Sequence, residues 1–211
     1  VGSAWGSDIL VTPQRSGLAR WVTTRVLEAC RLTTSDSLVM AGRMRELGAG
    51  EVMVFPFGLE ALPPPAAHKD DGLFFANRGL EPIYRPQRVL EVFAGAARDW
   101  PQARLVVAND GSLRGALVEQ AASLGLAERV HFVGRLAQAE QARCYDEARW
   151  YLSLPQSDSV SVSVIEAMAH GCVPVLSDLP ANRELVRDGD NGLIVADGDT
   201  DVRARLEALR P

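Results

Sequence analysis

Two carboxylates, Asp158 and Glu166, stand eight residues apart in the stretch from Trp150 to Asp178, WYLSLPQSDSVSVSVIEAMAHGCVPVLSD. Between them run Ser159, Val160, Ser161, Val162 and Ser163, ahead of a helix-forming Ala167-Met168-Ala169. Carboxylates accept hydrogen bonds from hydroxyls, so the pair suits a ribose or a sugar ring. The free N–H groups at a helix start suit a phosphate, each favourable surface charge there being worth about 0.3–1 kcal/mol. Upstream, Arg78 in Asn77-Arg78-Gly79 offers a planar fork that matches phosphate oxygens. Each residue also has a plainer reading. Glu166 could cap its helix through the Ser163-x-x-Glu166 spacing, Asp158 could simply turn the chain, and Arg78 could pair with Glu81 at the surface.

These residues need a scaffold that brings loops to one edge. Trp150 to Leu154 reads as a strand stopped by Pro155, Gln156 to Ser161 as a turn, Val162 to His170 as a helix ended by Gly171, and Val173 to Ser177 as the next strand. The same alternation holds from Gly72 onward. Further strands are expected at Leu73–Ala76, Arg104–Ala108, Arg129–Val133 and Gly192–Val195, and helical segments at Pro86–Trp100, Leu113–Leu124, Ala137–Ala148, Asn182–Val186 and Asp201–Leu209. Six short strands with helices between them make an α/β, doubly wound parallel sheet, which binds ligands beyond the carboxyl ends of its strands. Arg78 falls at such an end, as do the turn Asn109-Asp110-Gly111 and Gly134; His131, inside a strand pattern, reads as structural.

The first residues give a second set of elements: a strand over Ser7–Thr12, a helix from a Ser16 cap to about Cys30 with Leu18, Val22 and Val26 along one side, a strand at Leu32–Ser35, a helix over Ser37–Leu47, and a strand at Glu51–Phe55. Residues 61–71 contain Pro63-Pro64-Pro65 and have linker composition, so the expected division is 1–60, linker 61–71, and 72–211. The basic segment carrying Arg15, Arg20, Arg25 and Arg31 admits two readings, solvated arginines or peripheral contact with an anionic membrane surface.

Composition narrows the classes. A net charge of −5 argues against a polyanion binder, so nucleic acid is not an expected partner. Three cysteines without Cys-x-x-Cys spacing or nearby histidines indicate neither a metal site nor a disulfide framework, and fit a reduced, cytoplasmic setting. No Gly-x-Gly-x-x-Gly follows a strand, which removes a dinucleotide oxidoreductase, and the first strand of the larger region leads into Asn77-Arg78-Gly79 rather than the acidic cluster of a receiver domain. The chain begins at Val1, which reads as a piece of a longer protein.

The central stretch resembles the donor-site signature of the retaining glycosyltransferases of family 4 (group 1), which have the GT-B fold. Asp158, Glu166, Ala167, Met168, Ala169, Gly171, Pro174 and Val175 fall in register with it, and Asn191-Gly192-Leu193-Ile194-Val195 matches the family's downstream strand. Asp158 departs from the commoner glutamate followed by Gly-Phe-Gly. Ser37 and Pro56-Phe57-Gly58-Leu59-Glu60 resemble the closing part of the family's acceptor-side Rossmann-like domain, while Trp5 stands where many members have a histidine, so no base is assigned there. The resemblance implies a donor-binding Rossmann-like domain and a sugar transfer from a UDP- or GDP-linked donor to a glycan, lipid-linked or small-molecule acceptor, work of the cell envelope and at the inner face of the membrane. It implies that Glu166 holds the ribose hydroxyls, that Asp158 contacts the donor sugar or its phosphate, and that Arg78 with the amides of Ser159, Val160, Ser161, Val162 and Ser163 stabilises the departing diphosphate, without cofactor or metal. The family's second phosphate-binding cation is a lysine; Arg85 is the displaced candidate for it, and Gly134 lies where the family approaches the base. The family's acceptor loop would precede Val1, so this stretch alone is expected to be inactive. A non-catalytic nucleotide-sugar-binding module of the same fold is the alternative.

Overall fold

In the computed structural model, which describes residues 1–210, the elements follow in the order β1 (Gly2–Ser3), α1 (Ser7–Leu10), α2 (Thr12–Arg15), α3 (Gly17–Ala29), β2 (Thr33–Ser35), α4 (Leu38–Glu46), β3 (Val52–Val54) and then β4 (Asp70–Ala76). After a 3-10 turn at Pro82–Tyr84 come α5 (Pro86–Ala97), β5 (Arg104–Ala108), α6 (Arg114–Ser123), β6 (Val130–Gly134), α7 (Gln138–Glu147) and β7 (Ala148–Ser153). The last elements are α8 (Val162–Ala169), β8 (Val173–Ser177), α9 (Asn182–Leu185), β9 (Leu193–Val195) and α10 (Arg203–Ala208). They form two compact units, one of Val1–Gly58 with Ser157–Val162 and Leu179–Leu185, the other of the remaining residues.

The first unit is a parallel sheet in the order β1-β2-β3 over a core of Ile9, Leu27, Met40, Met44, Leu47 and neighbours. The strand expected over Ser7–Thr12 is instead the pair α1 and α2. Gly6 at φ 96° turns the chain out of β1, its carbonyl accepts from Ile9 and Leu10, and Asp8 Oδ1 accepts from the Trp5 amide at 3.1 Å. Ser16 caps α3 through Ala19 N, as its residue type predicts, but the side with Leu18, Val22 and Val26 faces outward and the helix packs through Leu27.

Two segments from late in the chain complete this unit. Buried Asp36, just after β2, accepts the Ser159 hydroxyl and the Val160 amide, the latter at 3.2 Å, while Ser37 Oγ and Ser159 Oγ are 2.8 Å apart. Glu184 on α9 then takes the first amides of α4, Leu38 N and Val39 N each at 2.9 Å. A carboxylate on otherwise unpaired N–H groups at a positive helix end is favourable on both counts.

The second unit is a six-stranded parallel sheet in the order β6-β5-β4-β7-β8-β9. Its strands and helices fall within a few residues of the positions the periodicity predicts. Phe74 on central β4 is fully buried and anchors the core, edge-on to Phe93 (centroids 5.2 Å) and Trp100 (5.8 Å) and stacked on Trp150 (6.0 Å), whose indole N–H reaches Asp71 O at 2.8 Å. Strand order reverses between β4 and β7, so the connections leave the carboxyl edge in opposite directions and open a crevice there.

Two outcomes test this packing. Gly95 on α5 lies so close to the loop before α10 that an added Cβ would sit 1.8 Å from Thr200 O. Alanine normally stabilises a helix interior by about 0.5–1 kcal/mol over glycine; here Gly95→Ala should destabilise by about 1–3 kcal/mol through overpacking, read as a lower urea midpoint. Asp36→Ala should cost about 1–3 kcal/mol by stranding the buried donors of Ser159 and Val160, and should speed amide exchange at Val160.

Candidate functional site

At the carboxyl edge of the second unit, β4 delivers Asn77 and Arg78, β5 delivers Asn109, and β6 delivers Gly134 and Arg135. Asn109 takes φ 80°, a left-handed conformation that asparagine tolerates; its amide donates to Gly134 O and its side-chain nitrogen to Asn77 O at 3.3 Å. Gly134 also turns left-handed, at φ 73°. Asn77, Ala108, Asn109, Arg135, Leu136 and Gln141 enclose a cavity of about 210 Å³ at this edge, polar enough to hold hydrogen-bonding ligand atoms.

Glu166 sits half-buried in α8. Its Oε2 accepts from the Tyr145 hydroxyl at 3.1 Å and more weakly from Gln141 Nε2 at 3.4 Å. The plainer reading of Glu166 as a cap is corrected: α8 starts at Val162, as expected, so Ser163 lies inside the first turn, and the Glu166 carboxylate bonds to Tyr145 of α7. Tyr145 accepts from Asn77 Nδ2 at 2.8 Å, and Asn77 Oδ1 accepts from Tyr151 OH at 2.6 Å. Burial first, then the neighbouring Tyr151 hydroxyl and Glu166 carboxylate, pushes the Tyr145 phenol well above its usual range.

The Arg78 guanidinium lies over the Tyr84 ring, 4.6 Å from its centroid, with Nη1 at 3.4 Å from Ser163 Oγ at the start of α8. Glu81, the partner that the plainer reading gave to Arg78, accepts from Ser112 Oγ at 2.6 Å and Ser112 N at 2.8 Å; those two bonds, the hydroxyl first, hold its carboxyl below the usual range. Arg85 reaches the other way, to Leu154 O and Pro155 O, each at 3.2 Å, and to Asp197 at 2.8 Å, so it fastens the end of β7. His131 is exposed on edge strand β6.

The second unit thus brings Arg78 to Ser163 at the start of α8, and Glu166 to Gln141, which lines the cavity that follows Gly134. Asp158, Ser159, Val160, Ser161 and Val162 belong to the first unit, where Asp158 Oδ1 accepts the Ser159 amide at 3.1 Å and Asp36 holds the next residues. Asn77, Gln141, Tyr145 and Asp36 were not singled out from the sequence. Gln141 and Tyr145 carried a signal, since residues four apart share one helix face and α7 precedes the strand that leads into the acidic loop. Among the described residues no group of three or more His, Cys, Asp or Glu stands together as a cation site, and no helix is long and apolar enough to cross a membrane.

Comparison with known proteins addresses the fold and the family. The chain is 32% identical over 124 residues to the alpha-monoglucosyldiacylglycerol synthase of Streptococcus pneumoniae, covering 58% of this chain and 28% of that one. It is 30% identical over 179 residues to the phosphatidyl-myo-inositol mannosyltransferase of Mycobacterium leprae, covering 81% of this chain and 46% of that one. The chain therefore spans less than half the length of these relatives. Among solved structures, a TarM variant of S. aureus in complex with Fondaparinux, alpha-GlcNAc-glycerol and UDP superposes with a TM-score of 0.84 at 12% identity over 98% of this chain and 43% of that one. HepE of Anabaena in complex with UDP-glucose gives 0.79 at 18% identity over 97% and 61%. The shared fold is GT-B. Residues 61–209 match the family described as Glycosyl transferases group 1, and the chain belongs to that family.

Proposed function

We propose that the parent protein moves a sugar from a nucleoside diphosphate sugar, UDP- or GDP-linked, to a lipid-linked or glycan acceptor with retention at the anomeric carbon, and that the second unit is the donor side. The observation that carries this reading is the grouping of Arg78, the first turn of α8 and Glu166 at the point where the strand order reverses, next to a polar cavity. On this reading the nucleoside occupies the cavity, Glu166 accepts the ribose hydroxyls, and Arg78 with the α8 amides faces the diphosphate. Charge grows on the leaving phosphate as the glycosidic bond breaks, and fixed donors aimed at such charge are worth about 3–4 kcal/mol each. Asp158 and the amides from Ser159 onward serve the donor sugar and its phosphate by family resemblance. Retention follows from front-side attack, with the leaving phosphate taking the acceptor's proton, so no protein base and no metal are required.

A lipid-linked acceptor is favoured over a soluble one by two features. The relatives above are named for work on diacylglycerol and phosphatidylinositol. On α3, Leu18, Trp21, Val22 and Val26 are exposed beside Arg20 and Arg25, an arrangement suited to lying on an anionic lipid surface.

The test is radiolabelled transfer by the full-length protein from a panel of UDP- and GDP-sugars, with lipid-linked and free glycan acceptors. Arg78→Ala should lower kcat by about 10²–10³-fold with folding retained. Nucleotide-sugar binding without turnover in the wild type would favour the binding-module alternative, and an inverted anomer in the product would overturn retention.

A further inference from the structure

We propose that Tyr145 is a positioning residue that sets the orientation of Glu166, so that the preference for a ribose diol depends on a hydroxyl that need not touch the ligand. The inference rests on the reading of Glu166 as the ribose carboxylate. Tyr145 is 2% exposed, and its ring is fixed edge-on to Phe75 (centroids 5.2 Å) and stacked on His170 (5.4 Å). A phenol has one proton to give. Asn77 Nδ2 already donates to this oxygen at 2.8 Å, so the proton goes either to Glu166 Oε2 at 3.1 Å or to Ser163 O at 3.3 Å. The carboxylate is nearer and charged, and charge-assisted bonds are the stronger kind, so the proton points at Glu166.

The direction of the chain is fixed from behind. Fully buried Tyr151 donates to Asn77 Oδ1 at 2.6 Å, which sets the amide so that its nitrogen faces Tyr145. The relay runs Tyr151 to Asn77 to Tyr145 to Glu166, each member donating to the next and polarising it. Burial keeps both phenols protonated across the working range, so the relay does not reverse with pH. Gln141, one turn before Tyr145 on α7, approaches the same Oε2 at 3.4 Å and also lines the cavity. Both donors converge on Oε2, and Oε1 is the oxygen left to receive a vicinal diol.

Calorimetric titration of the full-length protein with UDP and GDP, and with their 2′,3′-dideoxy forms, tests this. Tyr145→Phe keeps the ring and removes only the hydroxyl. It should weaken binding of the preferred ribonucleotide by about tenfold and bring it close to the dideoxy form, as loss of a charge-assisted bond implies. At saturating donor, kcat should stay within about threefold, because the hydroxyl acts on binding rather than on the leaving group. Gln141→Ala should shift the same ratio in the same direction by less. If Glu166→Ala abolishes the ribose preference and Tyr145→Phe leaves it intact, the positioning role is wrong while the donor-site reading stands. If Glu166→Ala leaves the preference unchanged, both fall together. A Tyr145→Phe variant that loses thermal stability but keeps the wild-type ratio also overturns the proposal.

Discussion

Parallel pairing of β4 with β5 on one side and β7 on the other is the constraint from which the second unit's chemistry follows. Five consecutive residues of β4, Gly72 to Ala76, are buried, and the strand then ends at once in Asn77 and Arg78. A parallel strand puts its last residues beside the last residues of its neighbours, so whatever follows β4, β5, β6 and β7 meets at one edge. The order β6-β5-β4-β7-β8-β9 adds a reversal at the β4–β7 step, and Asn77 stands at that step. Its side chain takes Tyr151 of β7 on one atom and Tyr145 of α7 on the other, so one residue at the central strand's end couples the sheet to α7, whose Tyr145 bonds to Glu166 of α8.

The polar cluster under this edge has an energetic logic. Asn77, Tyr145 and Tyr151 are all buried, and a buried polar group without a partner costs about 1–3 kcal/mol. Here each hydroxyl and amide group has one, and the cluster ends in a carboxylate that is only half-buried. The far end of Tyr145 is held as well: its backbone carbonyl, at the end of α7, accepts from Lys69 Nζ and from the Cys172 thiol at 3.1 Å. Burial is the main cause of both shifts there, lowering the lysine and raising the thiol to about 11, so the thiol stays neutral and donates. A cation at the carbonyl end of a helix is favourable, which makes Lys69 a fastening for α7.

Much of this architecture could be read from residue types. The six strands of the second unit were legible because short apolar runs such as Leu105-Val106-Val107 and Val173-Pro174-Val175 are bounded by turn residues, and Pro86 and Gly171 mark a helix start and a helix end. Ser7–Thr12 misled because its mixed polar and apolar order fits a strand as well as two single helical turns; the choice was made by Gly6 and by burial of Ile9, neither of which is a periodicity signal. The Ser163-x-x-Glu166 spacing misled for a related reason. A capping box needs its serine ahead of the first turn, and the start at Val162, which the sequence also indicated, already puts Ser163 inside it and leaves the glutamate facing a neighbouring helix. Tyr145 and Asp36 stayed hidden because their partners are distant in sequence, Ser159 being 123 residues from Asp36.

The same distance argument bears on how the acidic loop is held. Ser159 and Ser161 stand where the family's commoner Gly-Phe-Gly pattern has its glycines, and side chains in a tight turn need support that glycines do not. Ser159, Val160 and Ser161 are all buried, and the support comes from Asp36 and Ser37 at the end of β2, while Glu184 ties the segment from Leu179 to the start of α4. Glycine would leave this loop more conformational freedom to lose on ordering, whereas a serine-rich loop bonded to a buried aspartate is ordered before any ligand arrives. The substitution of hydroxyls for glycines is therefore coupled to an acid outside the motif, and a change at either place has to be judged together with the other.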